Sequence, residues 1–161
     1  MRSLIFLSLA QNALRFKNCC SLSNPLVGLR LGPNLKPTQG LLKLKKFLDR
    51  NAFWAKNRKI KDLKQCLASS DVIISIWSNN EPVGFGRALS DGVYRAVLWD
   101  IVIDQNHQGK GYGKMIVKNL LESKKIKNTK KIYLMTTSKK MFYSQVDFKE
   151  VVSQNLLVHE I

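Results

Sequence analysis

At 161 residues, 45% of them apolar, the chain is long enough for one packed domain and short for two. A formal charge of +16 and only two histidines point toward acidic partners and away from a histidine-rich metal centre or a Ser/His/Asp triad. No run reaches the ~18 apolar residues of a membrane-spanning helix, and Cys19, Cys20 and Cys66 form neither a C-x-x-C pair nor an even disulfide framework, which suits a reducing compartment.

The charge is uneven. Residues 1–70 carry 14 Lys and Arg against 2 acids, and residues 71–161 carry 13 against 9. This surplus reads as a solvated lysine-rich surface, or as attraction to nucleic acid, a ribosome, a membrane surface or coenzyme phosphates. Residues 1–26 contain no acid and several Ser and Asn, and their first ten residues hold a short apolar run. They fit a weak signal peptide, an organellar transit peptide or an extension from a misplaced start. Residues 1–26 are therefore set apart as an N-terminal extension, and 27–161 as the domain.

In order, residues 28–32 alternate as a short strand, and Pro33, Pro37 and Gly40 make 33–40 a loop. Leu41, Leu44, Phe47 and Leu48 mark one helix face, with Lys43, Lys45, Lys46 and Arg50 outside it. Ile60, Leu63, Cys66 and Leu67 mark a second, which places Cys66 in a core stripe rather than as a nucleophile. Trp54, between the helices, reads as core packing or as the edge of a substrate entrance. Residues 72–77 and 82–89 form a hairpin around a turn at 78–80. A central strand follows a turn at 90–92 and runs over about 95–104. After a helix and a basic connector at 124–130 come a strand at 131–136, parallel to the central one, a short helix at about 139–146 and a last strand at 156–158. His107, in a turn, and His159, near the end, read as surface residues, and no metal site is expected.

The chemistry concentrates at 97–125. A β-branched run interrupted only by Asp100 leads into Gln108, Gly109, Lys110, Gly111, Tyr112 and Gly113, and then into an apolar helical stripe of Met115, Ile116, Val117, Leu120 and Leu121. Free N–H groups at a helix start carry partial positive charge, and glycines let a bulky anion reach the backbone. A pyrophosphate is the natural guest. Lys110 and Lys114 sit where the helix dipole alone disfavours cations, a conflict that a bound polyanion removes. The spacing is neither G-x-x-x-x-G-K-[ST] nor a complete G-x-G-x-x-G.

It matches Q-x-x-G-x-G in Gln108, Gly111 and Gly113, and so resembles the pyrophosphate loop of the GNAT superfamily of N-acetyltransferases. Together with the order of elements over about 28–161, this implies an α/β GNAT acyl-CoA N-acyltransferase fold. That fold is a mixed, mostly antiparallel sheet flanked by helices, with a splayed parallel strand pair holding the coenzyme. The phrase LWDIVID over 98–104, the glycine loop and Phe142-Tyr143 resemble the cyanobacterial and plastid branch. Plant relatives of that branch are associated with lysine, N-terminal and arylalkylamine acetylation.

The resemblance implies transfer of acetyl from acetyl-CoA, a co-substrate, to a primary amine. A protein lysine or N-terminal amine is expected, with a small arylalkylamine as the alternative acceptor. Backbone groups of Ile101, Val102 and Ile103 would hold the acetyl carbonyl and pantetheine. Those of Gly109, Lys110, Gly111, Tyr112, Gly113 and Lys114 would hold the pyrophosphate, with Gln108 shaping the loop. Asp100 is the candidate base, its pKa raised by burial, with a structural carboxylate or an ordered water as alternatives. Tyr143 is the candidate donor to the leaving sulfur. It lies in F-Y-x-x-x-G-F with Asp147 in the glycine position, a residue that tolerates left-handed backbone. A basic nucleic-acid or ribosome-binding module on the same fold is the non-enzyme reading, although no RNP, zinc-finger or helix-turn-helix signature is present. Monomer and homodimer both remain open. The expected compartment is a bacterial cytoplasm, or alternatively the chloroplast stroma.

Overall fold

The computed structural model describes residues 27–30 and 37–160; the extension at 1–26 lies outside them. The elements are β1 (Val27–Arg30), α1 (Pro37–Asn51), a 3-10 turn (Phe53–Ala55), α2 (Ile60–Ala68), β2 (Val72–Ser78), β3 (Glu81–Ser90), β4 (Arg95–Ile103), a second 3-10 turn (Gln105–His107), α3 (Tyr112–Leu121), β5 (Lys131–Leu134) and α4 (Lys140–Ser144). The strands form one sheet in the order β1-β2-β3-β4-β5. Neighbours are antiparallel except β4 and β5, which are parallel and joined through α3.

The hairpin joining β2 and β3 turns on Asn79 and Asn80, both in the left-handed region at φ 48 and 61. Two such residues make the type I′ turn whose twist matches a two-residue hairpin, and asparagine tolerates that backbone. Two of the predicted boundaries are corrected. Helix α1 starts at Pro37, because proline fits a first helical turn, where no N–H bond is needed. The expected strand at 156–158 is absent among the described residues. Leu156, Leu157 and Val158 are 76%, 88% and 80% exposed. Three apolar residues after a polar Ser153-Gln-Asn stretch form no strand without a partner to complete their ladder.

Each sheet face carries its own core. On one, Ile116, Val117 and Leu120 of α3 pack on Ile74, Ile76, Ala88 and Leu98. On the other, Leu44, Phe47 and Leu48 of α1 and Leu63 of α2 cover Phe85 and Val102. The period-two alternation of β3 turns Phe85 toward α1 and leaves Gly84 and Gly86 beneath α3. A Cβ on Gly86 would lie 2.6 Å from Ile116 Cγ2, and one on Gly84 would lie 3.0 Å from Ile116 Cδ1. These glycines let α3 press against the sheet and so fix the height of its N-terminus above β4. Gly86→Ala is expected to cost about 1–3 kcal/mol from overpacking, read as a lower urea midpoint at unchanged slope.

Candidate active site

Strand β4 has two halves. Its first half pairs with β5 from Arg95↔Lys131 to Leu98↔Leu134, and there the pairing stops. One residue later β4 bulges against β3. Arg87 opposes Trp99 and Phe85 opposes Val102, so Asp100 and Ile101 together face Gly86 alone. Asp100 takes φ 52 to make the bulge. A bulge bends its strand, and here it coincides with the parting of β4 from β5. The Asp104 N–H donates to Val83 O at 2.9 Å. Counting back by alternation, Val102 belongs to the β3 ladder, whereas the N–H groups of Ile101 and Ile103 face the gap.

The glycine turn follows at the end of β4. Asp104 accepts from Asn106 N–H, and its Oδ1 lies 3.0 Å from His107 Nδ1. That pairing, most of all, with the Asn106 N–H, holds the Asp104 carboxyl below its ordinary value, against a smaller opposing effect of burial. His107 is half-buried rather than a free surface group. Gln108 Nε2 reaches Ile103 O at 3.4 Å and ties the loop to the end of β4. Gly109 and Gly111 adopt φ 77 and 81, with no atom within 4 Å of where a Cβ would stand. Gly111 caps α3 without a side-chain hydrogen bond, and no acid lies in the first turn. The N–H groups of Gly111, Tyr112, Gly113 and Lys114 thus face outward at the positive end of the helix, with Lys110 and Lys114 exposed beside them. Gly113 differs. A Cβ there would meet the Phe142 ring at 3.0 Å, so its small size serves the packing of α4 on α3.

That packing carries Tyr143. Its ring meets Phe142 edge-on at 4.9 Å and Phe148 at 6.1 Å. Burial pushes the phenol above its ordinary value, so it keeps its proton through the physiological range. Its hydroxyl has no hydrogen-bond partner among the described residues. Asp147 takes φ 67, the left-handed backbone expected of the residue standing in the glycine position.

Asp100 points to the α1 and α2 face, where its two oxygens receive four donors. Arg58 grips it with Nη1 at 2.9 Å and Nη2 at 3.0 Å; Arg87 Nε donates at 2.8 Å and Trp54 Nε1 at 3.1 Å. Burial is the largest single influence on this carboxyl and acts to raise it, but the Arg58 and Arg87 hydrogen bonds and charges together outweigh it and hold it below the usual carboxylate range. The expectation of a raised pKa is corrected. A carboxylate has about four acceptor positions, all of them taken here, and a lowered pKa weakens it further as a base.

The matched family model spans residues 41–146 and is described as the acetyltransferase (GNAT) family. The chain belongs to the GNAT family. A Pyropia yezoensis protein named uncharacterized N-acetyltransferase ycf52 is 40% identical over 73 residues, covering 43% of this chain and 41% of that protein. GCN5-related N-acetyltransferase 1, chloroplastic, of Arabidopsis thaliana is 37% identical over 42% of this chain and 34% of its own length. Serotonin N-acetyltransferase 2, chloroplastic, of rice is 33% identical over 48% and 40%. The chain thus spans about two-fifths of the length of the first of these relatives. In fold, a Xanthomonas campestris protein described as a GNAT member superposes with a TM-score of 0.68 at 19% identity, over 85% of this chain and 94% of that one.

Within this GNAT domain, the glycine turn and the start of α3 sit against the end of β4: Gln108 reaches Ile103 O, and a Cβ on Gly113 would lie 3.8 Å from Ile103 Cγ1. Val102 belongs to the β3 ladder, opposite Phe85. Sequence reasoning passed over Arg58 and Arg87. Arg87 left a signal, a lone cation inside an apolar strand that calls for a counter-charge, with Asp100 as the only acid in the neighbouring strand. Arg58 left none, because it sits among lysines. Trp54, expected in the core or at the edge of a substrate entrance, is 49% exposed and held by its indole N–H. Among the described residues no group of three His, Cys, Asp or Glu side chains is placed to hold a metal ion, and no helix is long and apolar enough to cross a membrane.

Replacing Asp100 by Asn leaves two guanidiniums facing each other in a largely buried site. It is expected to cost about 3–5 kcal/mol of stability, measured by denaturant. Because the carboxyl titrates lower in the folded than in the unfolded chain, wild type keeps this contribution above about pH 4 and loses it as pH falls through the folded value. The difference between wild type and Asn should therefore shrink in acid.

Proposed function

We propose that this domain moves an acetyl group from acetyl-CoA to a primary amine. The observation that carries the reading is the half of β4 left without a β5 partner, its end at Ile103 set against the glycine turn and an uncapped, lysine-flanked helix start. A strand edge offers alternating N–H and C=O groups to a pantetheine-like amide chain, and the helix start offers N–H groups and charge to a pyrophosphate. The two open glycine positions fit such a guest, and a side chain there would obstruct it. Bound in this way, acetyl-CoA supplies an acetyl thioester.

The residues of the chain then have separable roles. The Ile101 N–H, facing the gap, donates to the acetyl carbonyl oxygen as negative charge builds there. The acceptor nitrogen forms a bond to the carbonyl carbon as the carbon–sulfur bond breaks. The sulfur takes a proton from Tyr143, the amine gives its surplus proton to water, and the phenolate regains a proton from solvent. Asp100 positions Arg58, Arg87 and Trp54 and holds the bulge; it does not take the proton. With water as base, kcat/KM rises with pH until the amine itself is neutral, near 10.4 for a lysine or about 8 for an α-amine.

An open acceptor side supports a protein amine. Phe53 is 68% exposed and Trp54 49%, whereas small-molecule sites bury most of their ligand. The second reading, a small arylalkylamine, draws on the same exposed rings and on the name of the rice relative. The names of two relatives include chloroplastic, which supports the stroma over a bacterial cytoplasm.

Titration calorimetry with acetyl-CoA tests the coenzyme site. Wild type is expected to bind in the micromolar range, and Gly111→Asp, which puts a carboxylate in the cradle, to lose at least tenfold. No wild-type binding at millimolar coenzyme overturns the reading. Tyr143→Phe is expected to lower kcat about a hundredfold with coenzyme affinity kept; an unchanged kcat removes the phenol from the chemistry.

A further inference from the structure

The cluster around Asp100 holds two guanidiniums and one carboxylate. Arg87 is deeply placed, its side chain 11% exposed, whereas Arg58 is 29% exposed. Among the described residues neither pairs with a second carboxylate; Arg87 Nη1 reaches only Ser70 Oγ, at 3.4 Å. One positive charge therefore stands uncompensated, with the Arg58 Nε and the outer edge of its fork still free to donate. Such a charge, partly removed from water, attracts an anion far more strongly than one of the solvated surface lysines.

Its location gives the anion a context. Trp99 and Asp100 are the first residues of β4 beyond the end of β5, so the cluster borders the gap on the face opposite α3 and its phosphate cradle. Exposed aromatic rings frame it. Phe53 and Trp54 meet edge-on at 5.0 Å, and Arg87 lies 5.9 Å from the centre of the Trp99 ring. The aromatic faces suit an apolar chain segment, and the guanidinium suits a carboxylate beside it.

Resting on the acetyl-transfer reading above, we propose that Arg58 selects acceptors carrying a carboxylate close to the amine, as in a polypeptide with an acidic residue next to its acceptor. The same chemistry is offered by a free amino acid. The source is separated by comparing peptides with an aromatic amino acid and its decarboxylated amine.

The test uses the full chain, acetyl-CoA and peptides that differ only in having Glu or Gln beside the acceptor amine. A third peptide places the Glu six residues away, to separate local recognition from attraction to a basic protein. At physiological salt the adjacent-Glu peptide is expected to have a KM about tenfold lower than its Gln counterpart, with similar kcat. The distant-Glu peptide should resemble Gln. In Arg58→Gln the Glu-to-Gln ratio of KM should collapse to about one, a ratio that any general loss of stability leaves unaffected. Equal KM values for adjacent Glu and Gln in wild type overturn the inference and leave acetyl transfer standing, as does a distant Glu that works as well as an adjacent one. Turnover of the amino acid alone, in preference to its amine, supports carboxylate selection with a small acceptor. Coenzyme binding with no acetylation of any acceptor overturns both the acceptor class and the inference.

Discussion

The carboxylate of Asp100 is the constraint on which the site depends. It lies at a left-handed bulge residue and accepts from the α1–α2 connection through Trp54 and Arg58, and from β3 through Arg87. Each of these groups is costly to bury alone. Together they hold a strained backbone conformation at the point where β4 parts from β5. The geometry that opens the strand edge and the electrostatics beside it thus have a common origin. A carboxylate saturated in this way is a scaffold, and the two arginines among its partners keep its proton affinity low.

The glycines of the domain do three different jobs. Gly109 and Gly111 supply left-handed backbone and open space for an anion. Gly113 makes room for Phe142, which brings Tyr143 with it, and Gly84 and Gly86 let α3 sit low on the sheet. The last three set where the helix N-terminus lies, so packing on one side of the sheet governs electrostatics at its edge. Lys110 and Lys114, both exposed, add charge where the helix dipole is already positive, an arrangement that favours an anion there.

The two faces of β4 also divide the labour. One carries α3 and the glycine turn. The other carries an aromatic, cation-rich surface formed by the α1–α2 connection. On the proposed reading, a coenzyme on the first side and an acceptor on the second would meet across the half of β4 beyond β5, beside the surplus guanidinium.

Much of this was legible in one dimension. The helix and strand periods, the Asn79-Asn80 turn and the glycine loop follow from local rules, because backbone preference and side-chain alternation are properties of short segments. Gln108 and Gly111 marked the turn at the end of β4 for the same reason, whereas Gly113 makes room for Phe142. What the sequence could not decide was the state of Asp100. A lone acid in an apolar strand reads equally as a desolvated base or as a paired charge, and the difference rests on Arg58, 42 residues away, and on Arg87 in the neighbouring strand. Nor could it decide whether residues 156–158 form a strand, which requires a partner edge that no local pattern supplies. Tertiary structure decided both, because pKa and strand pairing depend on what lies across space.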